Sequence, residues 1–485
     1  MINWLKKVPD SPIWDWIWGA FFLLLPITSM PAVVRLVKSD VVAAPSGILL
    51  VIVLFGWCLP VLLRGAKIPG NAFPILLFGI VAVLCTLFSF FYQIPDYKSH
   101  NALYQSLTAI ITLLAGFGFY FAVMLRTSDQ TLLKQALRLI NVSGAIVLGW
   151  TLLQAFFWYS SHSYPHWMRS IQFFLSAGSL YRQRFVGFTL EPSWLAHQLN
   201  LLYLPWWFAA TLEKYTVHKR KPGRFSIENI LLLVGSLVLF LTLSRIGLLS
   251  FGLMVLYWLL TRGYGILDRK FGLSGKSAWK RASIVLLLLL FFMLLFFLSL
   301  LFLTKLDFRM AKLFQLQLAG RDQPLMVMAE ELGMASRMVY WDAGWDIFTD
   351  YPFFGVGLGH AGFYIPDRLS SFAMQLEEVR RLLFRSDTLL NIKSLWVRLL
   401  AETGVAGFSL FVIWLLNSWG TAQRVISIRS GLKKTVGRMG ILILIGMLME
   451  GFSVDTFALP YFWVGLGMVA AVSVAENAPD EYANG

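Results

Sequence analysis

The sequence predicts an all-α, polytopic membrane protein of about twelve transmembrane helices with a large extracytoplasmic loop of short amphipathic helices. Of its 485 residues, 58% are hydrophobic and only 14% are charged, whereas soluble domains carry about 25% charged residues. Apolar runs of roughly 20 residues recur along the chain, and a helix of that length crosses the hydrocarbon layer of a bilayer. The shorter apolar and polar alternation typical of membrane β-strands is missing from the sequence.

Twelve apolar runs give the predicted spans, with the usual error of a few residues at each boundary. The spans are 13–34, 43–63, 72–92, 105–125, 137–159, 193–212, 228–244, 246–262, 282–304, 394–416, 438–455 and 458–475. The seventh and eighth spans leave Arg245 between them at a membrane edge. Such a position is costly for an arginine unless the side chain has a partner.

The spans divide the chain into three parts. Residues 1–304 carry nine helices, with a short outer loop at 160–192 and a serine-arginine turn at 244–245. Residues 305–393 form the large loop, which we expect to cap an active site, and residues 394–485 carry three helices and a tail. Basic residues cluster in the loops of one side, so the positive-inside bias predicts that these loops and both termini are cytoplasmic.

The net charge of +15 follows from this loop bias, and nucleic acid is not an expected partner. The expected partner of these basic loops is the surrounding membrane lipid. Within the large loop, residues 340–348 and 376–390 have the pattern of short amphipathic helices that lie along a membrane interface. We therefore expect a helical cap over a cavity on the outer face.

Two polar clusters on the predicted outer face contain arginine. The first, residues 182–193, includes Arg184 and Glu191, and its Pro192 suits the first turn of the next helix. Glu191 has two interpretations, a complement to the helix dipole or a substrate-binding group. In the second cluster, Arg245 lies between two apolar spans, which indicates an anionic partner. A structural arginine that extends towards water is the alternative.

Two further clusters lie in and after the large loop. One begins at Arg337 and continues at 350–360, where glycines could present backbone N–H groups to a phosphate, although their spacing matches no nucleotide-binding loop. His360 could be a general base or a hydrogen-bonded loop residue. In the other, Arg398 and Glu402 are four residues apart on a helix, which predicts an intrahelical ion pair.

Together these segments resemble the O-antigen ligase and polymerase family. The resemblance spans residues 182–408 and rests on Glu191-Pro192-Ser193, Ser244-Arg245-Ile246-Gly247, the stretch from Arg337 to Gly359, and Leu399-Leu400-Ala401-Glu402-Thr403-Gly404. It implies a membrane glycosyltransferase of the bacterial cytoplasmic (inner) membrane. Such an enzyme moves glycan from an undecaprenyl-diphosphate-linked donor on the outer face.

The resemblance also implies that Arg245 and Arg337 hold the diphosphate, and Arg184 is a third candidate. Breaking a bond between sugar C1 and phosphate places negative charge on the diphosphate, and guanidinium groups stabilise that charge with paired hydrogen bonds. The sequence has no cluster of carboxylates suited to Mg²⁺. We therefore expect metal-independent, inverting transfer, with no metal site and no cofactor.

Ligases of this family commonly have a His-Asn pair before the helix that ends in Glu-Thr-Gly, but this chain has Lys393 and Ser394 there. The departure leaves His360, Lys393 and Glu191 as candidates for the general base. It also favours a polymerase, whose acceptor is another lipid-linked repeat, over a ligase, whose acceptor is lipid A-core. A regulator of chain length is a candidate partner.

A transporter or flippase is the alternative of a different class. Such a protein would carry an anionic solute without chemistry and would need charged residues inside several spans. The predicted spans are nearly free of such residues, which disfavours transport.

Overall fold

The structure, a computed structural model, describes residues 11–37, 43–66, 68–218, 225–263, 278–306 and 334–474. These ranges are helical, and their single β-bridge pairs Ser29 with Ala43. The all-α prediction is therefore confirmed for the part of the chain described. The basic stretches 219–224 and 264–277 and the first part of the large loop, 307–333, lie outside the described residues.

We number the helices in chain order. They are α1 Ile13–Leu23, α2 Pro31–Val37, α3 Pro45–Leu63, α4 Gly70–Ser89, α5 Ala102–Arg126, α6 Gln130–Ser161, α7 His166–Leu175, α8 192–212, α9 Ile227–Leu241, α10 Arg245–Trp258, α11 Ala278–Leu306, α12 Ala335–Asp350, α13 Ala361–Tyr364, α14 Glu377–Arg385, α15 Leu395–Ile428, α16 Gly431–Glu450 and α17 Tyr461–Val474. Single π-turns interrupt α3 and α8, and another extends α10. Short 3₁₀ turns lie at Ile365–Arg368 and Ala373–Gln375.

Five of these helices, α3, α4, α5, α6 and α15, are long and apolar enough to cross a membrane. Shorter apolar helices include α1, α9, the α10 region, part of α11 and α17. Length and composition thus agree with a helical membrane protein. The count of twelve spans and the side on which each loop lies stay predictions.

The first predicted span, 13–34, does not form one helix. α1 ends at Leu23 and α2 begins at Pro31. Between them the chain turns at 24–26, and Met30 N donates to Ala43 O at 3.0 Å. A proline disfavours helical geometry at the residue before it, and the linker contains Pro26 and ends at Pro31. Hydropathy alone therefore merged two segments that a proline-containing linker separates.

Two further helix boundaries, at the starts of α6 and α10, are set by side-chain caps. α6 begins earlier than predicted because the Asp129 side chain accepts hydrogen bonds from the N–H groups of Thr131 and Leu132. The predicted break before Arg245 is confirmed, since the Ser244 side chain caps α10. In the large loop, α12 covers 340–348 and α14 lies within 376–390.

The interior of the bundle is built around α16 and α17, which are buried along most of their lengths. Trp414 of α15 stacks on Trp463 of α17 with ring centroids 5.3 Å apart, and both side chains are fully buried. Helices satisfy their own backbone hydrogen bonds, as an apolar surrounding requires. This packing gives a rigid support for the loops at the helix ends.

The loops that carry the candidate site residues meet at one end of the bundle, which we call the site end. Here α4, α6, α9 and α16 end, and α5, α8, α10, α15 and α17 begin. Leu395 N donates to Gly451 O at 2.7 Å, and Phe185 N donates to Leu241 O at 3.3 Å. Segments far apart in sequence are thereby joined through their backbones.

α15 contains a break at Gly404 that anchors the large loop. Gly404 has φ 59° and ψ −166°, a conformation that is essentially restricted to glycine. The break lets Val405 N donate to Pro352 O at 2.8 Å and Ala406 N donate to Phe353 O at 3.2 Å. A Cβ atom at Gly404 would collide with the backbone of Phe353.

We predict that Gly404→Ala lowers the free energy of unfolding by at least about 1–3 kcal/mol, the cost of such a backbone conformation for a residue with a side chain. Thermal unfolding of the purified protein in detergent should show a lower midpoint temperature.

The matched control is Gly420→Ala in the same helix, because a Cβ atom there meets nothing within 4 Å. Alanine is favoured over glycine in a helix by roughly 0.5–1 kcal/mol, so this variant should be as stable as the wild type or more so. Equal midpoints for Gly404→Ala and the wild type would contradict the prediction.

Candidate functional site

The segment that links α16 to α17, residues 451–460, is the meeting point of the site, and we call it the α16–α17 turn. Arg337 Nη1 donates to Ser453 O at 3.0 Å, and Arg398 Nη1 donates to Asp455 O at 2.6 Å. The turn therefore holds an arginine from the large loop next to one from α15.

Arg245 is the first residue of α10, where Ser244 Oγ accepts from Gly247 N at 3.3 Å. Its Nε and Nη2 atoms are shielded from solvent. Arg184 Nε donates to Thr242 O at 3.3 Å, three residues before Arg245. The structure thus brings these two predicted diphosphate-binding arginines to one turn.

A buried polar cluster connects the Arg245 turn to the α16–α17 turn. Asn200 Nδ2 donates to Gly247 O at 2.8 Å and to Glu450 Oε1 at 2.6 Å. His197 Nδ1 lies 3.3 Å from Glu450 Oε2. Asn200 and Glu450 are fully buried, and Glu450 ends α16 directly before the α16–α17 turn. The segments bearing Arg245 and Arg337 are therefore tied to each other.

We did not predict this cluster from the sequence, although a signal existed. His197, Asn200 and Glu450 all fall inside predicted apolar spans. Ionisable residues within such spans are uncommon and mark functional or structural sites.

Glu191 and Arg184 both lie close enough to Tyr181 for their charges to act on its phenol. The Glu191 carboxylate is exposed before the first residue of α8 and accepts from Ser193 Oγ at 3.1 Å. Burial raises the pKa of Tyr181, the Glu191 charge raises it further, and the Arg184 charge lowers it. Both charges therefore lie in the region around Tyr181.

Lys393 lies in an ionic cluster next to Arg337. Its ammonium pairs with Glu378 Oε1 and lies 4.9 Å from the centre of the Tyr340 ring. Ser336 Oγ donates to Glu378 Oε2 at 2.7 Å. Burial alone would raise the pKa of Glu378, but the charge and hydrogen bond of Lys393, the Ser336 hydrogen bond and the Arg337 charge together lower it.

His360 is fully buried, and both of its ring nitrogens have close partners. Nδ1 lies 3.0 Å from Ser89 Oγ and 2.9 Å from Val356 O. Nε2 lies 2.6 Å from Ser106 Oγ and 3.2 Å from Ala102 O. Burial lowers the pKa of His360, and the hydrogen bonds to the two backbone carbonyls partly oppose this. These contacts join α4 and α5 to the large loop and favour a structural role.

The predicted ion pair between Arg398 and Glu402 is confirmed, with Nε and Oε2 3.0 Å apart. The pair also forms one wall of a cavity of about 220 Å³. Asp455, Gln105 and Asn391 contribute further polar groups to this cavity. It lies directly beside the α16–α17 turn.

The helices and this polar end define a helical membrane protein with an arginine-rich site at one end of its bundle. Residues 230–412 match the O-antigen ligase family, which confirms the resemblance predicted from the sequence motifs. Members of this family are membrane glycosyltransferase-like enzymes, and the match supports this general kind for the chain. It includes Arg245 and Arg337, whereas Arg184 and Glu191 precede it. A search of curated proteins found no match.

The lowered pKa of Glu378 predicts how the stability of the protein depends on pH. A folded-state pKa below the unfolded value means that the carboxylate contributes stability above the unfolded pKa, and that this contribution disappears as the pH falls through the folded pKa. We therefore expect Glu378→Gln to lower the unfolding midpoint at neutral pH, with a difference from wild type that shrinks on acidification below the ordinary carboxyl range.

Glu377→Gln is the control, because Glu377 is exposed and pairs only with Arg380 in the described residues. Exposed pairs contribute little, so this variant should follow the wild type at every pH. A Glu378→Gln difference that grows as the pH falls would contradict the assignment.

Proposed function

We propose that the protein polymerises undecaprenyl-diphosphate-linked oligosaccharide repeat units into O-antigen or a related surface polysaccharide. The reaction would take place at the outer face of the bacterial cytoplasmic membrane, with both termini in the cytoplasm. The supporting observation is the connection between Arg245, at the start of α10, and Arg337, in the large loop that follows α11. The buried Glu450 cluster and the α16–α17 turn hold these segments at one end of the bundle.

In this proposal, Arg245 and Arg337 bind the diphosphate of the donor, with Arg184 beside them. Guanidinium groups form paired, charge-assisted hydrogen bonds to phosphate oxygens. Charge on these oxygens increases as the bond to the sugar breaks, so groups already held in place stabilise the transition state more than the ground state. The arginines would do this work without a metal ion.

Glu191 is our choice for the general base. Its carboxylate is exposed, and its charge acts on Tyr181, as the charge of Arg184 does. The Lys393 ammonium, in contrast, is paired with Glu378, and His360 is fully buried with both nitrogens engaged. An acceptor hydroxyl can reach Glu191 without displacing a side-chain partner that holds the fold together.

The reaction is a single displacement. The oxygen of the acceptor hydroxyl forms a bond to sugar C1 while the bond from C1 to the phosphate oxygen breaks. The electron pair of that bond leaves with undecaprenyl diphosphate, and the hydroxyl proton moves to the Glu191 carboxylate. Attack from the side opposite the leaving group inverts the configuration at C1.

We prefer a polymerase over a ligase because Lys393 and Ser394 replace the His-Asn pair. Lys393 and Ser394 each make contacts that support the fold. Lys393 binds Glu378, and Ser394 caps α15. The 220 Å³ cavity beside Asp455 has room for the sugar of an acceptor repeat. The second candidate is the ligase, which would use lipid A-core as acceptor, and the same assay separates the two.

We predict that Arg245→Ala and Arg337→Ala each reduce transfer by about 10²–10³-fold, the usual effect of removing one donor to a developing oxyanion. Purified protein would be incubated with a defined undecaprenyl diphosphate repeat unit, with and without EDTA, and the products resolved on a gel. A ladder that survives EDTA is expected from the wild type.

The control is Arg381→Ala, an exposed arginine of α14, which should leave the ladder intact. Transfer only after lipid A-core is added would replace the polymerase with the ligase. Correctly folded protein that transfers to neither acceptor would contradict the glycosyltransferase proposal and favour transport.

We further predict that Glu191→Gln reduces the rate of transfer by about 10²–10⁴-fold, the usual contribution of a positioned base. Donor binding should be little changed, because the arginines are intact. Single-turnover kinetics with saturating donor separate the two effects. Full activity of Glu191→Gln, together with loss of activity in Lys393→Gln, would transfer the role of base to Lys393.

A further inference from the structure

A second, larger cavity of about 540 Å³ lies at the site end, and α7 forms part of its wall. Pockets of roughly 300–1,000 Å³ are typical of sites for small organic ligands. The walls come from the end of α6, from α7, and from the segment that precedes Arg184. The lining side chains used below are Trp158, His162, Tyr164, Arg169, Phe173 and Arg182.

The local structure that shapes this cavity is held by buried amides. Gln172 of α7 accepts hydrogen bonds from Trp150 Nε1 at 2.9 Å and from Gln154 Nε2 at 3.1 Å. Tyr164 Oη donates to Tyr181 O at 2.7 Å and closes the loop over the cavity. The walls are therefore fixed by specific hydrogen bonds rather than by loose loop packing.

The lining is cationic. Arg169 and Arg182 are exposed on two sides of the cavity, and His162 lies at the end of α6. Among its lining residues there is no aspartate or glutamate. Gln172, which is 2% exposed, also keeps its Nε2 donor without a partner in the described residues. A carboxylate or phosphate would be attracted to such a lining.

Aromatic rings supply further parts of the walls. Trp158 and Tyr164 have ring centroids 5.7 Å apart, and Phe173 lies on α7. Flat apolar faces combined with a few directed polar groups suit a ligand that has both C–H faces and polar substituents. A sugar ring has this character, whereas a bare phosphate uses only the cations.

α7 carries exposed apolar side chains on more than one face. Trp167, Ile171 and Phe174 are exposed on one face, which is typical of a helix lying in a membrane interface. At 3.6 residues per turn, Arg169 and Phe173 lie on the other side of the helix, and Phe173 is itself 73% exposed. The cavity side of α7 therefore offers a cation and an aromatic ring, which suit a sugar that carries an acid.

The wall of the cavity at Arg182 is two residues from Arg184 of the proposed diphosphate site. Arg184 N donates to Arg182 O at 2.8 Å, and Gln183 between them has φ +61°. This tight turn separates a side chain that lines the cavity from one that bonds to Thr242 O beside Arg245. A sugar attached to a diphosphate held by Arg184 and Arg245 would lie within reach of Arg182.

We propose that this cavity is a subsite for an acidic sugar, one that carries a carboxylate, of the lipid-linked glycan. The location next to the diphosphate rests on the proposed function. Arg182 and Arg169 bind the carboxylate, and the aromatic side chains contact the faces of the sugar ring. The cavity then selects glycans that have an acidic residue near the diphosphate.

The test measures binding of three probes to the full-length protein in nanodiscs by saturation-transfer NMR. The probes are methyl β-D-glucuronide, methyl β-D-glucoside and glycerol 1-phosphate, which mimics a lipid headgroup. The wild type should bind the glucuronide in preference to the other two. Arg182→Gln and Arg169→Gln should each weaken glucuronide binding about ten-fold, which corresponds to about 1.4 kcal/mol.

Arg385→Gln removes an exposed arginine of α14 with the same change in net charge, and it should bind the glucuronide as the wild type does. Inorganic pyrophosphate, followed by ³¹P NMR, should bind both cavity variants normally and bind Arg245→Ala more weakly. This second probe shows that the cavity variants are folded.

Equal binding of glucuronide and glucoside would overturn the proposal, as would glucuronide binding unaffected by either cavity substitution. Arg182-dependent binding of glycerol 1-phosphate without glucuronide binding would also overturn it and assign the cavity to a lipid headgroup. The gel assay decides the transfer reaction separately. Arg182-dependent glucuronide binding by a protein without transfer activity would sustain the subsite and reject the polymerase.

Discussion

The arrangement of the site end depends on one buried interaction, in which Glu450 binds Asn200 and lies within hydrogen-bonding distance of His197. A carboxylate cannot be left without partners in an apolar bundle, because the cost of burying it is large. Its partners must therefore stay on α8, and Asn200 must also bind Gly247 O. This requirement holds α8, α10 and α16 together and fixes where Arg245 and the α16–α17 turn lie.

The large loop is attached to this framework by its own buried contacts. Glycine at position 404 lets α15 form backbone hydrogen bonds with Pro352 and Phe353. His360 then fastens the following segment to α4 and α5. Because both anchors use backbone geometry or buried hydrogen bonds, Arg337 and Lys393 belong to a segment with a defined path over the helix ends. A phosphate-binding site needs this kind of preorganisation.

Patterns local in sequence were predictable, and contacts between distant segments were not. Apolar runs indicated a helical membrane protein, and four-residue spacing predicted the pair between Arg398 and Glu402. The bond between Asn200 and Glu450, in contrast, joins residues 250 positions apart. Mean hydropathy over a window does not register the effect of a proline on the backbone, so the break before Pro31 was not predicted. His360 illustrates the same limit, because residue spacing could not predict its partners on α4 and α5. Its burial, rather than its residue type, decides which role it can have.

We propose that Arg245 and Arg337 act on one diphosphate at the site end. An electron cryo-microscopy structure of the protein in nanodiscs with undecaprenyl diphosphate would locate that diphosphate. Its density is expected within hydrogen-bonding distance of both guanidinium groups, next to the α16–α17 turn. A diphosphate bound elsewhere, or contacted by only one of the two arginines, would contradict it.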